Sequence, residues 1–180
     1  MPITLEDISF GRTETAKVVG ITDVQLKRWI DRSGMFPEKQ RGTGYRMTFD
    51  IGDIFTIRAA VVLVDMGMSV ESAIRIVDSR STYGRFLQGK GRGIGVSSKS
   101  DFFIYRDGEY VRFGSLNNKN EFIFRDEDAY IFLNTYSIYK YISKSIEEMF
   151  REENNTKGLE YLEAWRQGLM KHGIIGADEC

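Results

Sequence analysis

The sequence predicts an α+β protein: helices around a basic hairpin in the first 79 residues, then a small antiparallel sheet followed by C-terminal helices. Three observations carry this. Apolar residues recur at helical spacing in blocks punctuated by Gly20, Gly34 and Gly67. A Gly-rich, basic stretch, residues 80–100, then breaks the pattern. Beyond it, aromatic runs bracket Asp107-Gly108, and two amphipathic segments follow.

Taken in order, Thr13 to Val19 reads as a short helix ending at Gly20, and Leu26, Trp29 and Ile30 mark a second. Thr22 with Gln25 three residues on is a capping box that starts this second helix by satisfying its orphan amides. Gly34 ends it, three residues before Pro37. Residues 40–49 hold a Gly-bearing turn between strand-suited residues, hence a short hairpin with a basic tip. Asp50 is the expected N-cap of a third helix, with Asp53 complementing its dipole and Ile54, Ile57, Val61 and Val64 on one face. A fourth helix begins near Ser69 and carries Val70, Ala73, Ile74 and Val77.

In the second half, Phe102–Arg106 and Glu109–Phe113 form a predicted hairpin, and further strands are expected at Glu121–Arg125 and Ala129–Leu133. Ile138, Tyr141, Ile142, Ser145, Ile146 and Met149 trace one face of a helix from about Ser137 to Glu153. That face suits either pairing with its copy across a two-fold axis or covering the sheet, with dimerisation favoured. Leu159, Leu162, Trp165 and Leu169 define a final helix.

Composition narrows the chemistry. With 180 residues, 42% hydrophobic and 28% charged, the chain suits a folded protein and excludes a large two-domain enzyme. The single Cys180 and the single His172 leave no inventory for a disulfide framework, a Cys-based zinc site or a Ser/His/Asp triad outside the tail. No metal, cofactor or enzymatic turnover is expected. Met1 to Phe10 lacks a basic leader region, and the longest apolar run, Ala59 to Val64, is short of a membrane span, so a cytoplasmic protein is expected.

Net charge is -1, but it is unevenly distributed. Residues 11–48 hold eight basic and four acidic side chains, residues 80–125 hold nine and four, and residues 126–180 hold six and eleven. Two basic segments and an acidic C-terminal part emerge. Gly84-x-x-x-x-Gly89-Lys90 nearly spells a phosphate-binding loop, but Gly91 stands where Ser or Thr should ligate magnesium, so a basic connector is the better reading. Asp126-Glu127-Asp128 reads as a turn or helix start rather than an ion site. The aromatic strands read as sheet core or dimer contact, with base stacking the alternative.

Helix, turn, helix, basic hairpin, helix, helix is the order of a winged helix-turn-helix module. Glu14-Thr15-Ala16-Lys17 before Gly20-Ile21-Thr22, Leu26-Lys27-Arg28-Trp29 with Arg32, Gly34-Met35 and Pro37, and Gly44-Tyr45-Arg46 give the order and spacing of one family. Phe49, Asp50, Ile51, Asp53 and Ile54, then Met66-Gly67-Met68-Ser69, extend the match. Residues 10–78 thereby resemble the MerR-type transcriptional regulators. The resemblance implies a DNA-binding domain over residues 1–79, a linker over 80–100, and a dimerisation or effector region over 101–180. Where the family often carries a basic residue stands Val24, whose side chain suits a thymine methyl.

The expected partner is double-stranded DNA, bound by a homodimer that reads an inverted repeat, with an effector or protein partner addressed through the C-terminal half. Thr22 starts a helix whose amide end faces an anion. Gln25 and Arg28 share a helical face and are assigned to groove contacts, and Lys27, Lys39, Arg41, Tyr45 and Arg46 to backbone contacts. The alternative is a phage-type packaging or recombination accessory, akin to a terminase small subunit or an excisionase, using the same winged helix. A protein-interaction module is a third reading.

Overall fold

The computed structural model describes residues 7–39, 46–77, 101–107, 110–115 and 130–171. Strand β1 (Phe10–Gly11) leads into helix α1 (Arg12–Val19), and α2 (Asp23–Ser33) follows after three residues. A single 3-10 turn, Pro37–Lys39, precedes β2 (Thr48–Phe49), α3 (Ile51–Asp65) and α4 (Val70–Val77). The second half contributes β3 (Asp101–Asp107), β4 (Tyr110–Ser115), β5 (Tyr130–Asn134), α5 (Thr135–Glu152) and α6 (Thr156–Lys171).

The helix boundaries follow from side-chain chemistry. Thr22 Oγ1 accepts from the Gln25 amide at 3.1 Å, while Gln25 Oε1 accepts from the Thr22 amide at 2.9 Å, so the capping box closes as the sequence predicts. Asp50 and Asp53 make the same reciprocal pair at the start of α3, at 2.9 and 2.8 Å. At the other ends, Gly20 and Gly34 adopt φ of +80° and +67°, the left-handed conformation that terminates α1 and α2. The tight turn of the helix-turn-helix needs glycine at residue 20 for a second reason. A Cβ there would lie 2.5 Å from the Tyr141 hydroxyl.

Two sheets are described. In the first, β1 pairs antiparallel with β2, Phe10 opposite Phe49 and Gly11 opposite Thr48. The strand expected on the far side of the 40–49 hairpin is therefore present, but its described partner comes from ahead of α1. Residues 40–45 lie outside the described residues, as do the expected linker and the expected strand at Glu121–Arg125. In the second sheet the order is β4-β3-β5, all antiparallel. The expected hairpin forms, but Asp107 pairs with Tyr110 and Arg106 with Val111, a register shifted from the Arg106–Glu109 closure that strands flanking Asp107-Gly108 imply; Phe103 pairs with Phe132 on the other side.

One hydrophobic cluster runs through both halves of the chain. Val18, Leu26, Phe49, Ile54, Ile57 and Leu63 are buried in it together with Ile142, Ile146 and Met149. Helix α5 packs against α1, α3 and α6. Phe10 stacks on Phe150 at 6.3 Å between ring centroids, and Phe55 meets Trp165 edge-on at 6.4 Å. The apolar face of α5 is thus covered within the chain, by helices of the N-terminal part and by α6. Of the side chains assigned to a two-fold pairing or sheet-covering face, Ile138, Ile142 and Met149 are buried within the chain, Tyr141 is exposed, and α5 also touches β3. Longer amphipathic periodicity identifies a buried face without saying what buries it.

Helices α5 and α6 form a tight hairpin. Asn154 takes a positive φ of 53° at the turn, and Asn155 Oδ1 accepts from the Gly158 amide at 2.8 Å to cap α6. Arg166 Nε donates to Ser143 Oγ at 2.8 Å and its Nη2 to Glu147 Oε2 at 2.8 Å, while Arg151 reaches Glu147 Oε1. Hydrogen bonds from Arg166 and then Arg151 hold the Glu147 carboxyl below its usual pKa. Among the described residues, no helix is long and apolar enough to cross a membrane.

Candidate nucleic-acid interface

Helix α2 is two-sided. Leu26, Trp29 and Ile30 enter the core, whereas Thr22, Val24, Gln25, Lys27, Arg28, Asp31 and Arg32 face solvent. A three-to-four residue rhythm of buried positions fixes this division, so every polar residue between them is carried outward. The exposed side is mixed rather than uniformly basic, since Asp31 sits among the cations.

The angle of α2 against α1 is braced by a forked ion pair. Arg12 Nε donates to Asp23 Oδ1 at 2.7 Å and Nη2 to Oδ2 at 2.9 Å, with Thr13 Oγ1 3.4 Å from Oδ1. Asp23 is the first residue of α2, where a carboxylate also complements the dipole. The Arg12 hydrogen bonds pull the Asp23 carboxyl below its usual pKa and push the guanidinium up. Sequence reading missed this pair, because residues 11 apart in separate helices leave no periodic signal.

Of the residues assigned to DNA, the structure groups some and separates others. Thr22 and Gln25 are exposed and bonded to each other: Gln25 Oε1 also accepts from the Thr22 hydroxyl at 2.9 Å. Arg28 and Lys27 are exposed and hold no ion-pair partner among the described residues. Arg46, just before β2, is exposed as well, and with Lys27 it lines a cleft of about 570 Å³ beside Gly11, Arg12 and Thr13. Glu14 and Asp31 border the same cleft. The start of α1, the outer side of α2 and the base of the expected hairpin therefore converge at one place. Arg41 and Tyr45 lie outside the described residues.

Lys39 is placed differently from the other cations. Its ammonium donates to Asp53 Oδ2 and to the Thr48 carbonyl at 3.3 Å, and it lies 5.8 and 5.7 Å from the ring centroids of Phe36 and Phe49. Asp53 is 3% exposed, and burial raises its pKa, with the Lys39 bond acting in the opposite direction. The charge of Lys39 is thus turned toward the third helix, holding the 3-10 turn against it. A run of basic residues in sequence does not distinguish an outward lysine from one that satisfies a buried carboxylate.

On the far side of the helix-turn-helix, Arg58 Nη1 donates to the Val19 carbonyl at 3.0 Å and the guanidinium lies 3.7 Å from the Tyr141 ring centroid. Lys17 pairs with Glu152 nearby. The side of α1 away from the exposed face of α2 is consequently occupied by α5.

No curated protein matches the chain. Residues 13–80, which contain α1 to α4, match the family model described as MerR HTH family regulatory protein, and the N-terminal segment of this chain is a MerR-type helix-turn-helix.

Proposed function

We propose that this protein is a sequence-specific transcription regulator that binds double-stranded DNA as a homodimer and catalyses no reaction. The observation that carries the reading is the outer side of α2: a capped, braced helix of a regulator-type helix-turn-helix with Gln25, Lys27 and Arg28 turned to solvent. Gln25 and Arg28 enter the major groove. Lys27 and Arg46, which line one cleft, engage phosphates of the same backbone. Arg41 and Tyr45 keep the backbone-contact role that the sequence assigns them. Two copies present their second helices to successive major grooves, about 34 Å apart or a multiple of it.

A gel-shift series with the full chain and the DNA upstream of its own gene tests this. Duplex binding should weaken steeply as salt rises. Arg28→Ala should cost about tenfold in affinity and relax sequence preference, whereas Arg46→Ala should weaken all sequences alike and lower the salt slope by about 1. Binding that ignores salt and both substitutions would sink the proposal.

A further inference from the structure

We infer that Val24 and Gln25 make the first turn of α2 a reader of thymine, an inference that rests on the DNA-binding function proposed above. Val24 is 58% exposed, more than Met66 or Tyr141, the other large apolar residues on the described surface. It occupies a helical position where a β-branched side chain is not favoured by propensity and makes no core contact. Its neighbours Thr22, Gln25, Lys27 and Arg28 are all exposed.

Gln25 adds a second, independent constraint. Its Oε1 accepts from both the amide and the hydroxyl of Thr22, each at 2.9 Å. A backbone N–H can only donate, so the carbonyl oxygen must face it and the NH2 group is left to face outward. Pairing with adenine through N6 and N7 requires the amide to offer donor and acceptor together. With the oxygen held in the cap, Gln25 presents donors alone. In the major groove thymine places an acceptor, O4, beside an apolar methyl. Guanine offers acceptors without a methyl, and the amino group of cytosine would meet a donor. The apolar side chain and the outward donor match the two features of thymine. Residues 24 and 25 are rotated by about 100° around the helix axis, so they read one thymine or two successive ones.

The test uses the full chain and duplexes selected by it from a random library. Each thymine of the enriched sequence is replaced in turn by deoxyuridine, which removes only the methyl group. At one position at least, the replacement should weaken wild-type binding about fourfold, the loss expected for one buried methyl. Val24→Ala, which alters an exposed residue and leaves the fold intact, should bind the thymine duplex with a similar loss and no longer distinguish uracil there. If duplexes are enriched but deoxyuridine is tolerated everywhere, the inference is overturned and DNA binding stands. If no duplex is enriched, both fall.

Discussion

The Arg58 guanidinium lies over the Tyr141 ring, 3.7 Å from its centroid, although one residue belongs to the third helix of the helix-turn-helix segment and the other to the first C-terminal helix. The arginine also donates to the Val19 carbonyl in the last turn of α1, and its Nε is buried without a hydrogen-bond partner among the described residues. The aromatic face is therefore what compensates this partly desolvated cation. Tyr141→Leu should destabilise the protein by about 1 kcal/mol in urea unfolding, and Tyr141→Phe by less than half as much, because the ring is kept. Equal losses in the two variants would show that the hydroxyl, not the ring, carries the contact.

The Arg12–Asp23 fork should give a pH signature. The Asp23 carboxyl is held below its ordinary value of 3.8 by Arg12, so its contribution is present above that value and is lost as pH falls through the lower, folded-state one. Wild type should therefore lose more stability than Asp23→Asn over the acid range beneath pH 3.8. Both side chains are a third or more exposed, so a double-mutant cycle with Arg12→Ala should return a coupling of only about 0.5–1 kcal/mol. A larger effect is expected on DNA affinity, since the pair sets how α2 leaves α1.

Asp53 titrates in the opposite sense. Burial raises its folded-state pKa above 3.8, so the stability linked to its protonation is present below 3.8 and is lost as pH rises through the raised value. Lys39→Met removes the partner and leaves a carboxylate that is 3% exposed. It should cost on the order of 3 kcal/mol at neutral pH, and the loss should shrink on acidification. Lys39→Met with Asp53→Asn should recover part of the loss. Denaturant midpoints of wild type and the two variants between pH 4 and pH 7, the span from just above the ordinary carboxylate value to about neutrality, measure this.

Gly158 is where α6 crosses α5. A Cβ at residue 158 would sit 2.8 Å from two atoms of the Phe150 ring. Alanine ordinarily stabilises a helix interior over glycine by about 1 kcal/mol, whereas overpacking costs about 1–3 kcal/mol. The clash wins, and Gly158→Ala should lower the melting temperature. In a Phe150→Leu background the same change should be neutral or stabilising. Neutrality in the wild-type background would mean that Phe150 moves aside without cost.

These contrasts show what local sequence carries and what it does not. Thr22 and Gln25, or Asp50 and Asp53, announce helix starts because the atoms that satisfy each other are three residues apart. Gly20 and Gly34 announce ends because the left-handed turn excludes most side chains. The outward side of α2 was legible for the same reason: Leu26, Trp29 and Ile30 define its complement. Nothing local, by contrast, indicates that Lys39 turns inward to Asp53, or that Tyr141 crosses to Arg58. The strand Thr48–Phe49 was legible, but not its pairing with Phe10–Gly11, since pairing partners are chosen by packing over long separations.

Phe10 rests on Phe150, and Lys17 pairs with Glu152, contacts that join positions 140 and 135 residues apart. During synthesis at about 5–20 residues per second, the regulator-type segment emerges several seconds before the helix that covers the back of α1 and α3. Folding of the chain thus has a late, non-local step, and the loop-closure entropy of that step falls on contacts that complete the N-terminal half. A ribosome stalled before Tyr141 would carry a segment with its outer α2 residues already encoded but its inner side still open to water. Completion of the packed N-terminal half is in this sense tied to synthesis of the second half.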